Sequence, residues 1–287
     1  MFEHRQGPQR GCIPVVTAPP PPGYTLRQRL PLDAIRAACV DVDEIILIDR
    51  RLYGGGKLIE RWEQRLELRA GEWLDAAPAA FDLESPVDEA QWGEGKSLPF
   101  LETLLVAERG RGFRSIFAPS FYTVFDSDRL KSFFNDNALK YANTVVIRQI
   151  EAFKAWVEGY PVCEIDRARD LGQSVILINP HERPAVVSIS LEGLEKPRKV
   201  KVDAMSSCRV DFAQMLGADR QAWRGQAFVW GPNRVNMFFV YHGLAEPNSI
   251  VTMEHSEVYR GEHGYVPWLG ELLRKSARKR PAPASIE

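Results

Sequence analysis

The sequence predicts a mainly β protein, and three observations carry that expectation. Short apolar runs rich in Val, Ile and Phe recur along most of the chain, each bounded by Gly, Pro, Asn or Asp. Within them apolar residues alternate with polar ones or run on continuously, as strands do, rather than repeating every three to four residues. One stretch departs from this: in "NTVVIRQIEAFKAWVEG", Val146, Ile150, Phe153 and Val157 fall on one helical face. The expected helix, over 143–158, parts the chain into two β regions.

Residues 1–31 are rich in proline, and "APPPPGY" favours an extended polyproline conformation, so this segment is expected to be an arm outside any packed core. From Asp33 strand signals follow one another. "DEIILIDRRLY" and "KLIERWEQRLEL" flank Gly54, Gly55 and Gly56, whose freedom in φ makes a hairpin turn there. Residues 76–99 are Ala-, Pro- and acid-rich and predict a long loop, followed by two apolar runs around "RGRGFR". Past the helix, "SVILINP" and "AVVSISLEG" look like two arms of a hairpin. Further short strands then follow at the turn-bounded intervals of a β-sandwich.

The two β regions repeat one another in order. "IILI" at 45–48 matches "VILI" at 175–178, "RLELRA" at 65–70 matches "KVKVDA" at 199–204, and residues 101–125 lie without a gap on 235–259. The common order predicts an internal duplication: two tandem Ig-like β-sandwich domains. Their expected spans are 32–130 and 161–263, with the linking helix region at 131–160 and a C-terminal helix and basic tail at 264–287.

In the second half, an "ILIN" strand, an alternating "AVVSISL" strand, a "VKVDA…RVDF" step and a late "VNMFFVYH" strand resemble the compact sandwich of the sensory rhodopsin transducer family. The resemblance covers the second half alone. It implies a soluble, oligomeric, non-enzymatic protein that binds a partner or a ligand, and it assigns no functional residue here.

Composition narrows the function classes. With 37 basic against 38 acidic residues the formal net charge is −1, so no global field draws the chain to nucleic acid. "CIPVV" is too short for a transmembrane segment or a signal sequence, which predicts a cytoplasmic protein. Cys12, Cys39, Cys163 and Cys208 stand far apart without a Cys-x-x-Cys pair, as expected of free buried thiols. Phosphate-loop and nucleophile-elbow patterns are absent: in "DRRLYGGGK" the lysine is followed by Leu58, not Ser or Thr.

Two clusters remain as candidate sites. "FYTVFDSDRLKSFFNDNALK" gathers Tyr122, Asp126, Asp128, Phe134, Asn135, Asp136, Asn137 and Lys140 at an expected strand-to-helix transition. Aromatic faces beside amide and carboxylate groups suit a small polar ligand such as a saccharide; the same Asn and Asp residues also serve as helix caps. The other is a metal site of His242, His255 and Glu257, in which His255 and Glu257 share one strand face. The expected function is a non-enzymatic cytoplasmic protein that recognises a small polar ligand or a protein partner, with homo-oligomers formed through sheet edges. The alternative is a metal-dependent enzyme using the His/Glu site. No cofactor is named by the sequence.

Overall fold

The computed structural model describes residues 12–29, 44–68, 80–108, 122–137, 139–140, 156–159, 161–194, 196–232 and 235–255. These residues are mainly β, in four antiparallel sheets. Sheet I has the order β10-β1-β7-β3-β4, comprising Leu139–Lys140, Cys12–Thr17, Phe100–Ala107, Glu44–Gly54 and Lys57–Leu68. Sheet II is β5-β2-β8-β9: Phe81–Glu84, Thr25–Arg29, Tyr122–Ser127 and Ser132–Asn137. Sheet III runs β19-β18-β13-β16-β6, from Ile250–His255 through Asn236–His242, Gly172–Asn179 and Ser206–Asp211 to Ser97–Leu98. Sheet IV is β11-β17-β14-β15, Trp156–Gly159, Ala222–Pro232, Ala185–Leu191 and Arg198–Val202, with β12 (Val162–Asp166) also paired to β17. One short helix, α1 (Phe212–Leu216), follows β16, its Ala213 amide held by the N-cap Asp211.

Burial explains why β13 and β14 carry different patterns. β13 lies inside sheet III and is buried at every position. Val175 and Leu177 join a core with Val187 and Ile189 of β14 and Ala227 and Val229 of β17. Ile176 and Ile178 point the other way, into a core shared with Tyr24, Tyr53, Trp92 and Phe125 of the first half. A strand covered on both faces needs a continuous apolar run, whereas β14 buries one face and alternates. The expected hairpin over 174–193 is therefore corrected: β13 pairs β16 and β18, while β14 pairs β15 and β17 in the opposing sheet. The expected β3–β4 hairpin does form. Its loop residues Gly55 and Gly56 have φ of 57° and 80°, the left-handed values that a two-residue type I′ turn requires.

Several other expectations change. The N-terminal arm is structural, since β1 lies between β10 and β7, Val15, Val16 and Ala18 are buried, and Tyr24 Oη accepts the Ile250 amide at 3.1 Å. Its prolines did not prevent this, because an extended backbone can lie along a core. The expected loop 76–99 contains β5 and β6, and β6 extends the second half's sheet through Leu98↔Ser207 and Ser97↔Cys208. In the linking region, residues 132–137, 139–140 and 156–159 are strands; Val157 pairs Gly231 on β17. The ladder groups of β17 outweigh a helical period carried by four residues, while 141–155 lie outside the described residues. So do 256–287, including the expected C-terminal helix and tail.

The matched halves also differ in route. "RLELRA" begins in β4, which pairs β3, but "KVKVDA" begins in β15, which pairs β14 rather than β13. Terminal strands β4 and β15 carry exposed charges, Arg61, Glu63, Arg65 and Glu67 on one and Lys199 and Lys201 on the other, and these oppose edge-to-edge association. Among the described residues no helix is long and apolar enough to cross a membrane.

Candidate functional site

The first predicted cluster is a β-hairpin, not a helix start. β8 and β9 pair in the order Tyr122↔Asn137, Thr123↔Asp136 and Val124↔Asn135, and Lys140 pairs Val15 on β1. Helix capping is thus not what places Asp126 to Asn137. Asp126 forms an ion pair with Arg27 at 3.2 Å, and Asp128 is exposed in the turn. Phe134 is corrected from ligand floor to core. It is 4% exposed, stacked on Phe125 at 4.8 Å and edge-on to Tyr24 at 5.5 Å, while the strand's alternation turns Phe133 outward.

Strand register also separates the predicted metal ligands. His242 lies opposite Ile250, whereas His255 lies opposite Phe238, four residues away along β18. At about 3.3 Å per residue the two imidazoles sit on stations about 13 Å apart, and Glu257 lies outside the described residues. Among the described residues no group of three or more His, Cys, Asp and Glu side chains is placed to hold a metal.

His242 belongs instead to a buried polar centre where the two halves meet. Arg209, 2% exposed, donates from Nε to Ser174 Oγ at 2.9 Å and from Nη1 to the Trp92 carbonyl at 3.3 Å; its Nη2 lies 3.3 Å from Asp211 Oδ2 and 2.9 Å from His242 Nε2. His242 Nδ1 is 2.8 Å from the Gly243 carbonyl, which can only accept. The proton therefore sits on Nδ1, and Nε2 accepts from Arg209. Burial first, then the guanidinium charge, push the His242 pKa down to about 4, so the imidazole is neutral. Asp211 balances the guanidinium and also accepts the Ala213 amide at 2.9 Å. Trp92 covers the centre, its ring 5.6 Å from Arg209 Cζ and its indole N–H donating to the Pro247 carbonyl.

No serine–histidine pair exists here, since the imidazole faces Arg209 and Ser174 accepts from the same guanidinium. The centre fastens residues 85–98 across sheet III. Sequence reasoning passed over it because its members come from four separate segments; the one local signal was a lone tryptophan in the polar run "DEAQWGEGK".

A second polar cluster lies on sheet I. Arg50 is 1% exposed, donates to Gln28 at 2.8 Å and lies over the Phe81 ring at 4.6 Å; burial lowers its pKa to about 10, which leaves it charged. On the opposite face Asp49 is gripped by Arg51 and by Arg61 at 2.8 Å.

Among the described residues, the outer face of sheet IV brings aromatic, hydroxyl and charged side chains together, with Glu158 of β11 opposite Trp230. Alternation on β17 buries Trp223, Ala227 and Val229 and turns Arg224, Gln226, Phe228 and Trp230 outward. Register then sets Trp230 beside Ser188 and Phe228 beside Ser190, and Ser188 beside Lys199. Trp230 and Phe228 are half-buried, while Lys199, Lys201 and Arg224 are exposed. No family model, curated protein or solved structure matches the chain. The functional reading therefore rests on this geometry.

Proposed function

We propose that the chain is a non-enzymatic binding protein that takes a polar ligand, a saccharide, on the outer face of sheet IV. The observation that carries this is the placement of Trp230: a half-buried indole on the sheet face, with Ser188 opposite it on β14, Lys199 one strand further on β15 and Glu158 opposite it on β11. A sugar ring offers a C–H face to stack on the indole and hydroxyls for the serines around it. The resemblance of the second half to a family of non-enzymatic binding proteins points to the same class of role. The buried thiols of Cys163 and Cys208 suit a reducing, cytoplasmic compartment.

The test is binding to a glycan array by the full chain and by Trp230→Ala. Retention of at least one glycan by the parent and its loss in the variant, with circular dichroism unchanged, is the expected result. An array on which the parent retains nothing, or on which the variant binds equally well, would sink the reading.

A further inference from the structure

We infer that the chain forms a homodimer through β4, a second copy adding its own β4 antiparallel in the register that sets Gln64 opposite its counterpart. The inference is independent of the ligand face on sheet IV. β4 ends the five-stranded sheet I, and no strand pairs its outer side among the described residues. It is 12 residues long and holds no proline, and every side chain from Lys57 to Arg65 is exposed or half-buried. A terminal strand of this length presents unpaired N–H and C=O groups to any strand that can lie beside it.

Charge decides which strand that is. Arg61, Glu63, Arg65 and Glu67 stand on one face and alternate in sign. On β3 the register sets Arg51 opposite Arg61 and Asp49 opposite Glu63, so like charges adjoin across the hairpin. Diagonal contacts ease this: Arg61 reaches Asp49 at 2.8 Å and Glu63 at 2.5 Å, Arg65 reaches Glu108 at 3.1 Å, and Glu67 has a partner of its own. Even so, the row that ends at Glu63 carries two acids, and the row that ends at Arg61 carries two arginines against Glu102. An antiparallel copy centred on Gln64 brings its Arg65 beside the two acids and its Glu67 beside the two arginines, and the two-fold repeats each contact. On the other face it sets Trp62, half-buried and edge-on to Phe81 at 5.1 Å, opposite Leu66. Opposite charges and aromatic–aliphatic neighbours stabilise facing strands, whereas sliding the copy by two residues in either direction sets arginine against arginine and glutamate against glutamate. The charges that hold off an arbitrary strand thus admit this one.

The bulge at Leu52 and Tyr53 sets the end of the contact. Ile59 has no opposite residue on β3, which breaks the alternation there, so the regular stretch is 60–68. Its length is about 30 Å. Other terminal strands lack the pattern: β15 carries Arg198, Lys199 and Lys201, and β5 carries Asp82 and Glu84, so each would repel its own copy.

Sedimentation equilibrium on the full chain should show a concentration-dependent species of twice the 32.5 kDa chain mass. Arg65→Glu and Glu63→Arg each set two like-charge pairs across the two-fold, and each should weaken dimerisation about tenfold. Mixed in equal amounts, the two variants should restore it, because both positions then meet their opposite charge. Both side chains are exposed, and Asp49 keeps Arg51 and Arg61 in either variant, so circular dichroism should stay unchanged. Hydrogen exchange reads the parent alone: amides within 60–68 should slow as concentration rises, while those of β15 should not. A parent that stays monomeric up to its solubility limit would overturn the inference. So would variants that dimerise as well as the parent, a mixture that remains monomeric, or a dimer in which exchange at 60–68 is unchanged.

Discussion

Replacing Arg209 by methionine would remove the guanidinium from the junction of the two halves while keeping much of its bulk. The substitution deletes the donors to Ser174 Oγ and the Trp92 carbonyl and leaves Asp211, whose side chain is 10% exposed, without its cation. Breaking a buried pair from one side costs about 3–5 kcal/mol, against a total stability of about 5–15 kcal/mol for a folded protein. Urea unfolding at pH 7.5, followed by tryptophan fluorescence and circular dichroism, measures that loss. A pH series adds an independent readout. In the parent, the folded pKa of His242 is about 4 against an ordinary 6.5. As pH falls below 6.5 the unfolded chain takes up a proton that the folded chain refuses. Stability should then drop by about 3 kcal/mol across that window and level off below about 4. Without Arg209 the burial remains but the repelling charge does not, so the pKa of His242, read by NMR, should rise while staying below 6.5. A stability loss under about 1 kcal/mol, or a parent His242 that titrates near 6.5, would refute the account of this centre.

Three further expectations test other parts of the structure. Burial works to raise the pKa of Asp49, but the bonds from Arg61 and Arg51 outweigh it and hold the carboxyl below its ordinary value. Asp49→Asn should cost about 3 kcal/mol at pH 7 in urea unfolding, a difference that disappears as acid carries the parent through its lowered folded pKa. Gly172→Ala would set a Cβ 2.7 Å from both His242 Cε1 and Leu244 Cδ2; about 1–3 kcal/mol of overpacking should show in the same assay. Burial pushes the Cys163 and Cys208 thiols up to about 12, so in a Cys12→Ser/Cys39→Ser background Ellman's reagent at pH 8 should label neither until denaturant is added.

Strand content was legible because alternation is a local property, and the β3–β4 turn was legible because consecutive glycines mark the φ values it needs. Pairing was not. The runs at 174–193 read as neighbours across a turn, yet their unequal patterns, one continuous and one alternating, already distinguish a strand covered on both faces from one covered on one. Proline and acidic composition hid β1 and the seat of Trp92, because both are stabilised by partners distant in sequence: Leu101 to Val106 for β1, Arg209 and Pro247 for Trp92. The candidate sites failed for a related reason. His242 and His255 were two histidines from adjacent strands, and only register shows that they miss each other; Phe133 and Phe134 differ by one position, and the pleat sends one to solvent and the other to the core. The outer face of sheet IV was open to sequence reasoning through the alternation in "QAFVWG", but Ser188 and Lys199 join it only once pairing is known.

The bond between Tyr24 and Ile250 joins residues 226 apart in the chain, and sheet III hides one of its faces under strands made long before it. During synthesis the first half leaves the ribosome with Leu26, Phe125 and Trp92 committed to a core whose other wall, Ile178, Phe238 and Met253, has not been translated. Native contacts of this reach close slowly. Neither half is expected to fold when expressed alone, and a nascent chain stalled short of Met253 should remain a client of chaperones.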